Sequence, residues 1–140
     1  GMVDGASMAA AFALGAEGVQ MGTRMVSAAE SPVHQNWKDR ILDAAETDTV
    51  MLNRFHSPAL RALRTDRATE LERRTEDNVM GEFGSAQELY FGGNMEAAIA
   101  LTGQVCGRIN SVKPVAQILS EVRAEFFETI NRLRDQYPAN

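Results

Sequence analysis

The placement of glycine in the first thirty residues constrains this chain more than any other feature. Gly1 and Gly5 flank Asp4, Gly15 and Gly18 follow an alanine-rich run, and Gly22-Thr23 follows the stretch Val19-Gln20-Met21. Asp4 offers a side-chain acceptor to the first helical amides, and the Ala/Met/Phe run from Ala6 to Leu14 is a good helix former, so a helix is predicted there. Gly15 then stops it. Val19 to Met21 is short and apolar enough for a buried strand, and the turn at Gly22-Thr23 would present backbone amides to an anion. Two glycine turns on either side of a helix supply what a phosphate requires: exposed amide donors, close backbone approach and a favourable helix dipole. The same glycines also have a purely architectural reading, in which they permit tight helix-strand packing.

Several separated elements of this stretch keep the spacing of a known family. Gly1, Asp4 and Gly5 match a GG-x-x-D-G turn, and Ala13-Leu14-Gly15-Ala16 with Gly18 matches the end of an alanine-rich helix. Val19-Gln20-Met21-Gly22-Thr23-Arg24 and Glu30-Ser31-Pro32 match the next two elements. The chain thus resembles the flavin-dependent nitronate monooxygenases, formerly 2-nitropropane dioxygenases, in their seventh and eighth strand-loop-helix region. Flavin-dependent enoyl-ACP reductases of the same superfamily share it. Weaker similarity continues through Thr47-Asp48-Thr49-Val50, Ala62-Leu63-Arg64 and Gly103-Gln104. IMP dehydrogenase and GMP reductase carry a similar double-glycine loop, which keeps the phosphate end of an IMP dehydrogenase-like barrel as an alternative. The Gln20–Arg24 string and Ala62-Leu63-Arg64 favour the nitronate monooxygenases.

The resemblance implies a (β/α)8 barrel, which takes about 250 residues, whereas this chain has 140. The expectation is therefore a C-terminal fragment of a TIM-barrel flavoprotein, unable to close a barrel alone. It would be mainly α with one or two short strands, an α+β unit. Residues 1–30 would form the partial phosphate-binding loop-helix-strand-loop and residues 31–140 a helical C-terminal region of the same structural unit. The resemblance further implies FMN as cofactor. The Gly22 and Thr23 amides and the Thr23 hydroxyl would hold its phosphate, Gly1 would complete the cradle, and Gln20 and the Met21 backbone would lie nearby. The family takes its catalytic histidine from earlier strands, so no catalytic residue is assigned here, and the isolated chain is expected to be inactive.

Outside that stretch the residues have ordinary structural readings. Ser31 reads as a cap with Pro32 at the first helical position, followed by the buried stripe Val33, Trp37, Ile41 and Ala44. His34 reads as solvent-facing beside that stripe, and His56, before Ser57-Pro58, reads equally blandly. Thr47–Leu52 has the content of a short strand. A helix is expected from about Pro58, with Ala59, Leu60 and Leu63 on its apolar face and Arg61, Arg64 and Arg67 in local ion pairs. Residues 66–76 carry helix formers, but Gly81, Gly84, Gly92 and Gly93 interrupt the next stretch, and Leu89-Tyr90-Phe91 reads as a local apolar knot.

Asn94 is expected to cap a helix to about Ile109, with Met95, Ala98, Ile99, Thr102 and Cys106 near one face. Gly103-Gln104 would approach the cofactor end. Cys106, the single cysteine, excludes an internal disulfide and reads as a buried small hydrophobe. The clearest periodicity is Val115, Ile118, Leu119, Val122, Phe126, Ile130 and Leu133 after Pro114, a helix of about 24 residues and roughly 36 Å. Its apolar stripe needs a partner. A homo-oligomer or a complementary barrel-forming chain would supply one, and a noncatalytic helical interaction protein is the competing reading of the whole chain. The net charge of −5 argues against nonspecific nucleic-acid or anionic-membrane binding. No apolar run approaches the ~18 residues of a membrane helix, and a cytoplasmic protein is the default expectation.

Overall fold

A computed structural model describes residues 1–138. It is mostly helical: α1 (Gly5–Ala13), α2 (Thr23–Val26), α3 (Gln35–Leu42), α4 (Asp66–Arg73), α5 (Ala86–Tyr90) and α6 (Val115–Gln136), with β1 (Thr49–Leu52) and β2 (Leu60–Leu63) between α3 and α4. The strands form one antiparallel hairpin in the register Thr49↔Leu63 to Leu52↔Leu60. Among the described residues no larger sheet exists, and none closes a barrel.

α1 begins where Asp4 and Ser7 cap each other's backbones, the reciprocal arrangement that satisfies two orphan amides at once. Leu14 ends it, and Gly15 comes next at φ +98, a conformation that glycine adopts without strain. α6 buries Ile118, Val122 and Phe126, and α1 is the helix that covers them. Gly5 makes this approach possible: a Cβ there would fall 2.7 Å from the Glu125 carbonyl carbon and closer still to backbone atoms of Phe126 and Val122. The Gly5 amide donates to Glu125 Oε2 at 2.7 Å, and the Phe12 ring meets Phe126 edge-on at 5.1 Å. The first and last helices are thus locked together through backbone, carboxylate and ring.

Three apolar clusters lie inside. The first joins Val33, Trp37 and Ile41 to Leu63, Leu89 and Cys106. The second packs Val50, Leu52 and Ala62 of the hairpin against Leu71 of α4 with Val79 and Ile99. The third sets Ile118 and Val122 of α6 on Ala28, flanked by Met8, Met21 and Met25.

Several elements differ from the sequence expectation. Val19–Met21 belongs to no strand; it runs between α1 and α2 without a ladder partner among the described residues. Pro58 does not open a helix, because Leu60–Leu63 pairs instead with β1, where Ala62 and Leu63 are buried by tertiary contacts that a helical count of Ala59, Leu60 and Leu63 does not reveal. Arg64 still forms its ion pair, with Glu72 at 3.7 Å, whereas Arg61 bonds Thr49 Oγ1 at 3.0 Å and Arg67 the Glu82 carbonyl at 2.7 Å.

Residues 94–109 are likewise not one helix. The backbone from Ala97 to Thr102 is drawn out as a bridge between layers: Ser85 donates to Ala97 O, Ile99 to Phe83 O, Leu63 to Ala100 O and Thr102 to Arg61 O. Only Gln104–Arg108 coils, as a short 3-10 turn. Leu89 and Tyr90 form no separate knot, since Leu89 is in the first core and Tyr90 meets Trp37 edge-on at 4.9 Å, leaving Phe91 exposed.

Ser31 does not cap α3. His34 does, its Nδ1 accepting the Asn36 amide at 3.1 Å, so this half-buried ring is a structural cap pressed against Gly93. The Glu30-Ser31-Pro32 segment is held differently. Lys38 Nζ donates to the carbonyls of Ala29 and Ser31, and the Glu30 carboxylate accepts the Val115 amide at 2.9 Å. A carboxylate on the first amide of α6 caps a helix whose flanking Pro114 offers no side-chain acceptor.

Candidate functional site

The loop between α1 and α2 is the candidate site. Gly22 flanks α2, exposed, at φ −86 and ψ −74, and a Cβ built on it would meet nothing within 4 Å. The amides of Gly22, Thr23 and Arg24 have no hydrogen-bond partner among the described residues, as expected at the start of a helix whose first bonds run back to the Gly22 carbonyl from Met25 and Val26. Three successive donors therefore remain open at one end of α2.

Thr23 is fixed behind them. It is 9% exposed, and its Oγ1 accepts the Gly103 amide at 2.9 Å across 80 residues of sequence. That hydroxyl retains its own proton for a further acceptor. A Cβ on Gly103 would lie 3.4 Å from Thr23 Oγ1 and 3.6 Å from Val105 Cγ2, and one on Gly1 3.3 Å from the same Val105 methyl. Gly1 and Gly103 thus lie against Val105, and Thr23 lies against Gly103. Gln20 is exposed beside them, whereas the half-buried Met21 side chain turns into the cluster of Ile118 and Val122. Met21 can contribute only its backbone to the glycine side of the loop.

Val105 had no sequence signal: an ordinary apolar residue joins the site through a fold contact rather than a spacing. Arg24 was also not singled out for a role. It is 6% exposed, and its Nη1 donates to Ser27 Oγ at 3.2 Å and to the Ser111 carbonyl at 2.9 Å. Burial holds its guanidinium below the ordinary arginine range, with the charge of Glu121 acting in the opposite direction.

The two histidines lie away from this loop in structural roles, His34 as the cap of α3 and His56 with Nε2 3.1 Å from the Glu76 carbonyl oxygen. Cys106 is fully buried with Sγ 3.6 Å from the Ala45 carbonyl oxygen, and desolvation raises its thiol pKa, which disfavours the nucleophilic thiolate. No described helix is long and apolar enough to cross a membrane.

Comparison with known proteins identifies the family. The family profile described as nitronate monooxygenase matches residues 1–125. A probable nitronate monooxygenase of Staphylococcus saprophyticus is 47% identical over 53 residues, which are 38% of this chain and 15% of that protein. One of Staphylococcus aureus is 38% identical over 63 residues, 45% of this chain and 18% of the relative. The solved structure of FabK from Thermotoga maritima superposes with a TM-score of 0.89 at 40% identity, covering 97% of this chain and 45% of that one. The matched length is thus less than half of each of these proteins. With the profile spanning most of its residues, the chain belongs to the nitronate monooxygenase family.

Proposed function

We propose that the loop from Gln20 to Thr23, with Gly1 and Gly103, is the phosphate end of an FMN site in a flavin-dependent oxidoreductase of this family. The observation that carries the reading is the run of open amides at Gly22, Thr23 and Arg24 beside a glycine with free space where a side chain would stand. The donor set fits a phosphate: neutral amides, one hydroxyl, and no carboxylate bonded to Thr23. The FMN, when bound, would supply the electron chemistry that passes from a nitronate to oxygen. What these residues contribute is grip. Thr23 is oriented by the Gly103 amide, Val105 backs the loop, and the absent Cβ of Gly22 allows the phosphate oxygens to reach the backbone.

On this reading the chain is the C-terminal part of a (β/α)8 barrel. The match to 45% of the FabK chain supports it, as does the unpaired Val19–Met21 segment, which has a barrel strand's length but no neighbouring strand. The isolated chain turns over no nitronate, since both histidines have structural partners. Calorimetric titration with FMN tests the site. Gly22→Asp, placed in open space, leaves the fold intact and weakens FMN binding about tenfold or more through like-charge repulsion. Unchanged affinity in this variant would remove the loop from the site, and FMN-dependent oxygen consumption with a nitronate above the buffer control would overturn the inactivity.

A second reading rests on a different observation. Leu119, Phe127, Ile130 and Leu133 of α6 are 51%, 51%, 41% and 44% exposed, so half of its apolar stripe lacks cover. This face borders a groove of about 400 Å3 shared with Met8, Val19 and Met21. A complementary barrel-forming chain or a second copy would bury it. Sedimentation equilibrium separates these partners: concentration-dependent association supports the copy, and a monomer at all concentrations leaves the complementary chain.

A further inference from the structure

We propose that the pocket floored by Arg24 binds a small oxyanion such as inorganic phosphate, independently of the flavin reading. The pocket has a volume of about 150 Å3 and is lined by Arg24, Arg108, Lys113, Asp4, Glu121 and Ser111 among others; Gly1, Gly22 and Thr23 take no part in it. At about 30 Å3 per water molecule, such a volume holds a tetrahedral oxyanion with one or two waters.

The charges decide what the pocket accepts. Three cations and two carboxylates line it, and both carboxylates are already engaged. Asp4 Oδ1 accepts the Ser7 amide at 2.8 Å while Oδ2 pairs with Arg108. Glu121 Oε2 accepts Lys113 at 2.7 Å, and its Oε1 accepts Gln117 at 2.8 Å. Arg24 is different. It is 6% exposed, its described hydrogen bonds leave through Nη1 alone, and no carboxylate among the described residues lies within ion-pair distance of it. A guanidinium offers five donors in a fixed fork, and the Nε and Nη2 donors of Arg24 have no protein acceptor among the described residues and reach solvent. The pocket carries one net positive charge, centred on that fork. An oxyanion answers both the charge and the planar pair of donors, with two oxygens spaced to accept from them in parallel.

The test is an NMR titration of the full chain with sodium phosphate, at ionic strength held constant with sodium chloride. The expected result is saturable movement of the Arg24 Nε–H resonance and of the Ser111 and Lys113 amides. Sulfate should act similarly, and Arg24→Gln should weaken binding about tenfold or more, the worth of a lost charge-assisted bond. If Arg24→Gln does not fold, Lys113→Gln provides the second variant, with a smaller, several-fold loss. The proposal is overturned if the Arg24 and Ser111 resonances stay still, or if chloride moves them equally. Phosphate shifts confined to Gly22 and Thr23 would overturn it while leaving the flavin reading standing; shifts at Arg24 with no FMN response at Gly22 would do the reverse.

Discussion

Thr23 Oγ1 accepts the Gly103 amide at 2.9 Å, a bond that ties the start of α2 to a turn 80 residues later. It sets the open amides of the candidate site beside the turn that carries Val105. The Gly103 donor is partly buried, so removing its acceptor leaves a polar group without a partner. Thr23→Val is expected to cost about 1–3 kcal/mol in urea unfolding, and Thr23→Ser, which keeps the oxygen, well under half of that. Equal stability of the two variants would show that the hydrogen bond contributes nothing.

Gly5 and Gly22 should respond oppositely to the same added methyl group. At Gly5 the Cβ meets the α6 backbone, which cannot swing aside, and Gly5→Ala is expected to destabilise by about 1–3 kcal/mol or more. At Gly22 the Cβ meets nothing within 4 Å and the backbone lies in the right-handed helical region, so Gly22→Ala should change stability by less than about 0.5 kcal/mol. Thermal unfolding of both variants checks this, and a Gly5→Ala protein as stable as the wild type would contradict the close packing of α1 on α6.

Cys106 gives a prediction with a defined sign. Desolvation is the largest cause of its raised pKa, so the native state holds the thiol proton more tightly than the unfolded chain, whose thiols titrate near about 8.5. This contribution to stability is fully present below the unfolded pKa and is lost as pH rises through the folded one. Stability should therefore decline at alkaline pH, and Cys106→Ser should flatten that decline. Ellman's reagent at pH 8 should react with the thiol at the rate of unfolding; immediate reaction with the folded protein would show that the group is exposed.

The elements legible in the sequence are those whose signals are local. Asp4 marks the start of α1, Gly15 its end, and the step from Ile118 through Val122 to Phe126 marks the buried side of α6. Val33, Trp37 and Ile41 likewise reach the core that their spacing predicts. The failures belong to segments whose state is set from outside. Leu60–Leu63 becomes a strand because Thr49–Leu52 lies beside it, and Ala97–Thr102 is extended because Phe83 and Arg61 offer it carbonyl acceptors while Ser85 and Leu63 donate to its own carbonyls. Val19–Met21 shows the opposite case, a strand-like sequence without a neighbouring strand among the described residues. In the candidate site, the glycine turn was legible, but Val105 and the Thr23–Gly103 bond arise only when distant turns meet.

The central claim is that the Gly22-Thr23 turn seats the phosphate of a flavin. NMR titration of the labelled chain with FMN and, in parallel, with riboflavin tests it most directly, because the two ligands differ only in that phosphate. The expected result is saturable movement of the Gly22 and Thr23 amides with FMN and much weaker movement with riboflavin. Amides that ignore FMN, or that respond equally to both ligands, would contradict the claim.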